Sequence, residues 1–357
     1  MRCDALRNSL RNTIPAAVRV PLIALGWLLL ISLLHYQLNF QSKGSRPIVH
    51  MGYMPVITNM AAPLLDYASQ EDSDIRFSAL KFASFAEMAE ALRDGNIEAA
   101  FIIAPLAIVL KQQGEDVKVV YIGNRHESTL VARADLQARS ISDLAGRTVA
   151  VPMRYSGHNL SLRQLAESNH LGDTVKIVEM NPPDMPAALI SGSLDAYFVG
   201  EPFAARTLQN GQSHSLFYVE DIWPDFICNV MLVKQSFIDA HPKLVEQLVQ
   251  GAVRSGLWAQ DNLASAAEIA ASYWNQSPEL VTYALTTPKH NRVVFDRYIP
   301  KADELKQMAK LMVHYELSQS DDIEGLVDDR FAQEASLYGI EGIDTILPPT
   351  CTRTANP

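Results

Sequence analysis

Short apolar runs alternate with amphipathic stretches along most of this chain, and the alternation starts twice. The first series has strand-like runs at 48–54 ("IVHMGYM"), 75–82 ("IRFSALKF"), 98–104 ("EAAFIIA") and 117–124 ("VKVVYIGN"). Helical patterns follow in "MAAPLLDYASQ", in "SFAEMAEALRDG" and from Pro105. The second series has runs at 144–152, 175–180, 195–200 and 215–221, with helical patterns over 158–168 and after Pro186. Strands that alternate with short helices form parallel βαβ units, so the expected fold class is α/β with two lobes. "CNVMLVKQSF" (228–237) reads as a return strand. Beyond it the pattern is helical at 242–260, 263–274, 277–286, 301–314 and 327–337. Ser277-Pro278-Glu279 is a helix start with Pro at the first helical position, and Ser84-x-x-Glu87 matches a capping box.

A chain of 357 residues suits two lobes rather than one core. Its net charge of −10, with no basic cluster, argues against a nucleic-acid partner. A small anion remains compatible, because the free N–H groups of a helix start can bind one locally. Cys3, Cys228 and Cys351 have neither metal-ligand nor CxxC spacing, so no metal site is expected. Cys228 and Cys351 are either an exported pair or, as the sparse usage favours, inert thiols.

Residues 20–34, "VPLIALGWLLLISLL", are fifteen residues without a charge. Arg2, Arg7, Arg11 and Arg19 precede them against a single Asp4, which leaves the amino end cytoplasmic and the rest beyond the membrane. The run suits an uncleaved signal anchor over 20–40 better than a cleaved signal, since Ser42-Lys43-Gly44 is a poor cleavage site.

No GxSxG, HExxH, GxxxxGK[ST] or GxGxxG is present, so the common hydrolase, zinc-protease and nucleotide signatures are missing. Ligands of open α/β sheets sit beyond the carboxyl ends of the strands, where helix starts converge. Several residues fall there. Ser156 and His158 in "RYSGHNLSL" either hold a ligand oxyanion or merely cap a helix. Thr58 and Asn59 open another helix, first of all as caps. Ser84 and Phe85 open a third, with Phe85 a cleft wall or a packing residue. Glu201, in "DAYFVGEP", accepts from a ligand donor, binds a cation, pairs with Arg206 or caps the next helix. Trp223 in "DIWPDF" closes a pocket or anchors the return crossover. Arg154 and Lys234 are candidate charges near the cleft.

"HNLSLRQLAE", "NPPDMPAALISGSLDAYFVGEPFAAR" and "VEDIWPD" resemble the solute-binding proteins of ABC importers in the nitrate, bicarbonate, sulfonate and taurine group and, in order and spacing, its nitrate- and bicarbonate-binding branch. "GYMPVITNMAAPLL" and "LRDGNIEAAFIIAPLAIVL" are similar to that group's first and third strand-to-helix turns. The similarity covers roughly residues 48–260. It implies a type II periplasmic-binding-protein fold, closure about a hinge with crossovers near 125–140 and 221–230, and no catalysis or cofactor. It also implies a small anionic or zwitterionic solute, and an ABC permease and ATPase as partners. His158 falls on that branch's ligand histidine, and Thr58 and Asn59 on its first-turn polar pair. Phe85 stands where the branch usually has Trp, and Pro224 where it commonly has a charged residue.

The expected organisation is a basic segment 1–19, the anchor 20–40, first lobe 46–130, second lobe 131–225, return and tail 226–345, and an end at 346–357. The protein is expected to be a membrane-attached monomer on the periplasmic side. The rivals are a pyrimidine-synthesis-type enzyme on the same fold and an extracellular sensor lobe for a separate partner.

Overall fold

The computed structural model describes residues 16–40, 46–71, 73–289 and 292–347. Cys3 and Cys351 lie outside these residues, as does most of the 346–357 end. The chain divides into two units at Pro47. In the first, Ala16–Phe40 is a 25-residue helix containing Pro21, with exposed Leu, Ile and Trp side chains. Among the described residues, no helix is long and apolar enough to cross a membrane.

The second unit holds two five-stranded sheets. The first runs β2-β1-β3-β10-β4, from β1 (Ile48–Tyr53), β2 (Arg76–Lys81), β3 (Ala99–Ile103), β4 (Val117–Ile122) and β10 (Asn229–Lys234). The second runs β7-β6-β8-β5-β9, from β5 (Ser128–Arg133), β6 (Thr148–Val151), β7 (Lys176–Glu179), β8 (Ala196–Gly200) and β9 (Ser213–Tyr218). β1, β2 and β3 are parallel, as are β6, β7 and β8. β10 and β5 run antiparallel to both of their neighbours. Each is the first strand after a crossover, so each lobe contributes the chain that enters the other's sheet. This is the mixed α/β arrangement expected of two lobes joined twice.

β3 and β8 are buried at every position. Strands covered by helices on both faces read as unbroken apolar runs, and "AAFII" and "AYFVG" do so. Each large aliphatic side chain buried in this way stabilises by about 1.5–3 kcal/mol.

Three local expectations need correction. A strand, β5, occupies 128–133, inside the stretch read as a crossover, so the linking segment is only 123–127. Its polar opening, "EST", had masked the apolar run. The expected helix at 327–337 is reduced to Arg330–Gln333. Ser84 does precede the helix Phe85–Arg93, but its side chain makes no capping bond. Ser277, by contrast, accepts from Leu280 N at 3.2 Å.

Arg125 binds the crossovers together. Its Nη1 donates to Asp225 O at 2.6 Å, and its guanidinium grips both carboxylate oxygens of Glu304 at 2.9 and 3.0 Å. A bidentate pair of this kind fixes orientation as well as distance.

Candidate functional site

The turn after β1, Ile57–Asn59, meets the end of β8 and the first crossover. Ile57 N donates to Glu201 O at 2.8 Å, joining the two lobes directly. Asn124 Nδ2 donates to Ile57 O at 2.9 Å. A Cβ on Gly123 would lie 1.9 Å from the Thr58 carbonyl oxygen, so only glycine lets the turn and the crossover approach this closely. Thr58 is buried, and its Oγ1 has no hydrogen-bond partner; neither has Asn124 Oδ1. Asn59 is committed internally. Its Nδ2 donates to Met54 O at 2.9 Å and its Oδ1 accepts from Asn229 Nδ2 at 2.7 Å.

Across the junction, Ser156 caps the helix Gly157–Ser168 by accepting from Asn159 N at 3.1 Å. A Cβ on Gly157 would sit 2.6 Å from the Phe226 ring, so glycine admits that ring from the second crossover. His158 is buried, with Phe198 and Phe226 edge-on at 5.2 and 5.6 Å. Its Nε2 lies 2.8 Å from Ser128 Oγ, and its Nδ1 has no partner. Burial holds its pKa down to about 3, so the ring is neutral and cannot serve as a cation for an anion. Trp223 is half-buried and stacks edge-on against Phe226 at 5.7 Å, one ring further out.

Glu201 is buried after the turn that ends β8. Its Oε1 accepts from Thr129 Oγ1 at 2.7 Å and its Oε2 from Ala205 N at 2.7 Å, so it caps the next helix. Its charged neighbour is Arg292, with Nη1 3.9 Å from Oε1, rather than Arg206. Burial raises its pKa, and Arg292 opposes that rise.

Arg292 carries no signal in the sequence, standing in irregular chain between helices. Its side chain is fully buried. Nε donates to Glu220 Oε1 at 2.8 Å and Nη2 donates to Ser128 O, while the guanidinium lies 4.5 Å from the Tyr218 ring centre. Nη1 has no hydrogen bond, and Glu220 Oε2 has none either. Glu127 was also missed. Its Oε1 accepts from Ser128 Oγ at 3.1 Å and its Oε2 from Glu201 N at 2.8 Å. The polar triplet Glu127-Ser128-Thr129, opening a buried strand, was the signal available for it.

Thr58, Ser156, His158 and Glu201 therefore share one connected junction with Arg292 and Glu127, with Asn59 and Trp223 at its margins. Phe85 is a core residue at 5% exposure. No hydrogen bond among the described residues ties the half-buried Ser84 to the junction. Arg154 pairs with Glu179 at 2.8 Å on the surface, and Lys234 donates to Arg93 O, so neither charges the cleft. Cys228 is buried and unpaired among the described residues. No cluster of three or more His, Cys, Asp or Glu among them could hold a metal ion.

The profile of the NMT1-like family matches residues 42–273. The taurine-binding periplasmic protein of Escherichia coli is 25% identical over 176 residues, covering 48% of this chain and 54% of that one. The nitrate/nitrite binding protein NrtA of Synechococcus elongatus is 23% identical over 181 residues, covering 48% and 40%. The chain thus spans about half the length of the curated relatives it matches. Among solved structures, the ligand binding component of an ABC-type import system from Staphylococcus aureus superposes with a TM-score of 0.74. It does so at 21% identity, over 82% of this chain and 99% of that one, which shows a shared fold.

Proposed function

We propose, from the premise that the chain belongs to the NMT1-like family, that it is the extracytoplasmic solute-binding component of an ABC importer. The observation that carries this reading is the set of buried polar atoms without partners at the lobe junction. They are Thr58 Oγ1, Asn124 Oδ1, His158 Nδ1, Arg292 Nη1 and Glu220 Oε2. A buried polar group left unpaired costs about 1–3 kcal/mol. Five at one junction, drawn from both lobes and the first crossover, call for a ligand to complete them. One guanidinium donor beside several acceptors suits a small zwitterion better than a bare anion. The candidates Thr58, Ser156, His158, Glu201 and Trp223 act in this reading as ligand contacts or as their immediate supports. The protein hands its solute to a permease driven by an ATPase, works as a monomer and performs no chemistry.

Membrane attachment through 20–40 rests on the uncharged run and the arginines before it. Recovery of the protein in washed membranes supports it; recovery in the soluble periplasmic fraction refutes it.

A thermal-shift panel tests the main reading, using nitrate, bicarbonate, alkanesulfonates, taurine, phosphonates and aminopyrimidines. A solute at 100 times its Kd adds about 2.7 kcal/mol of stability. The shift is expected to vanish in His158→Ala while the apo protein stays folded. Turnover of a solute by the purified protein would defeat the proposal, as would a shift that survives that substitution.

A further inference from the structure

Glu127, Ser128 and His158 form a buried line of hydrogen bonds with only one unsatisfied end. Ser128 Oγ has a single hydrogen. While Glu127 is ionised, its carboxylate only accepts, so the Ser128 hydrogen points to Oε1 at 3.1 Å. The Ser128 lone pair must then accept from His158 Nε2, 2.8 Å away. His158 is consequently the Nε2–H tautomer, and its unpartnered Nδ1 is a bare lone pair.

We propose that Glu127 is a positioning residue that sets, through Ser128, whether His158 offers the lobe junction a hydrogen-bond acceptor or a donor. Glu127 Oε2 is held by Glu201 N at 2.8 Å, so an added proton belongs on Oε1. The relay balances as follows. A proton arrives at His158 Nδ1, the Nε2 proton passes to Ser128 Oγ, and the original Ser128 hydrogen passes to Glu127 Oε1. His158 is neutral before and after; only Glu127 changes charge. Nδ1 has become an N–H.

The surroundings of Glu127 allow this. A Cβ on Gly200 would lie 2.7 Å from Oε2, so the glycine of "VGEP" admits the carboxyl to the end of β8. Facing it are Glu201 from that end, the buried Cys228 thiol from the second crossover, and Ser128. Arg292 makes no hydrogen bond to Glu127; its Nη2 donates to the neighbouring Ser128 carbonyl. Burial, with the Glu201 charge adding to it, pushes the Glu127 carboxyl up to about 7. The switch thus falls in the pH range where an imidazole is usually the titrating group, yet here the imidazole stays neutral. Solutes that accept at Nδ1 are favoured when Glu127 is protonated, and solutes that donate are favoured when it is ionised. Each preference is worth on the order of tenfold in affinity. That consequence rests on the solute-binding reading; the tautomer itself does not.

The test is nitrogen NMR of the full-length protein labelled at histidine, with the His158 ring assigned by its loss in His158→Asn. Nδ1 is expected to be bare at about pH 8 and protonated at about pH 6, one unit either side of the Glu127 value, with the ring neutral throughout. In Glu127→Gln the amide oxygen must face Glu201 N, so its NH2 faces Ser128 and the Nδ1–H tautomer persists at both values. In Ser128→Ala the tautomer no longer follows pH. The same tautomer at both pH values in the unmodified protein overturns the proposal, and so does a doubly protonated ring. Glu127→Gln behaving like the unmodified protein overturns it too. Should that variant fail to fold, the unmodified protein and Ser128→Ala decide. No solute is needed, so failure of the relay and failure of the transport reading are separable.

Discussion

Three arginines are buried among the described residues, and two of them, Arg254 and Arg292, are used in opposite ways. Arg254, on the helix Pro242–Asp261, donates only to main-chain carbonyls, those of Ser336, Tyr338, Gly339, Thr345 and Ile346. It has no carboxylate partner and no idle donor, and it wraps the end of the described chain onto the first lobe. Arg292 sits among Glu201, Glu220 and the Ser128 carbonyl and keeps one nitrogen idle. The first cation is complete and holds chain together. The second is incomplete, with Glu220 Oε2 beside it also unpaired. Under the proposed function, satisfaction of donors, rather than burial or charge, is what separates the structural Arg254 from an Arg292 left to bind.

The sharpest way to break this contrast is Arg254→Ala, which strands five carbonyl oxygens. It is expected to lower unfolding stability by about 4 kcal/mol or more, measured by denaturant titration. Solute affinity of the folded fraction should not change. If affinity falls with it, the two arginines are not separable. Arg292→Lys keeps the charge but loses the planar fork. The stabilisation of about 2.7 kcal/mol from a saturating solute is expected to disappear, with the apo protein still folded. Retention of the shift would make Arg292 a second structural cation.

Glu127 and His158, joined through Ser128, give a pH test. Unfolded, Glu127 titrates near 4.5 and His158 near 6.5; folded, they titrate near 7 and near 3. Glu127 alone makes stability fall as pH rises, in full below 4.5 and lost through 7. His158 alone makes stability rise with pH, in full above 6.5 and lost as pH falls toward 3. Between about 4.5 and 6.5 the folded state carries one proton more on Glu127 and one fewer on His158, so the contributions cancel. Glu127→Gln should unmask a rise of about 1.4 kcal/mol per pH unit in that window, relative to the unmodified protein. His158→Gln should unmask a fall of the same size. Parallel pH profiles for all three proteins would mean that neither group is buried as described. The smallest effect is expected from Thr129→Val, which removes one donor from Glu201 and should cost about 1 kcal/mol. A neutral result would place Glu201 in easier contact with water than the junction suggests.

The sequence by itself determined the two α/β series, the return strand and most of the helical tail. Apolar periodicity and capping residues act over a few neighbours, so "AAFII", "AYFVG" and Ser277-Pro278 announce their own structure. The residues before and after a strand end, Ser156, His158 and Glu201, were legible for the same reason. Their partners were not. Arg292 reaches Glu201 across ninety-one positions of chain (292 less 201), and β5 pairs with β8 inside the second sheet although β6 and β7 lie between them in the chain. A cap that is written, as at Ser84, still goes unmade when its surroundings do not require it. Whether a polar atom is satisfied depends on every group within about 3 Å of it, and that neighbourhood is drawn from the whole chain. Tertiary structure alone therefore decided which buried polar atoms were left over at the junction.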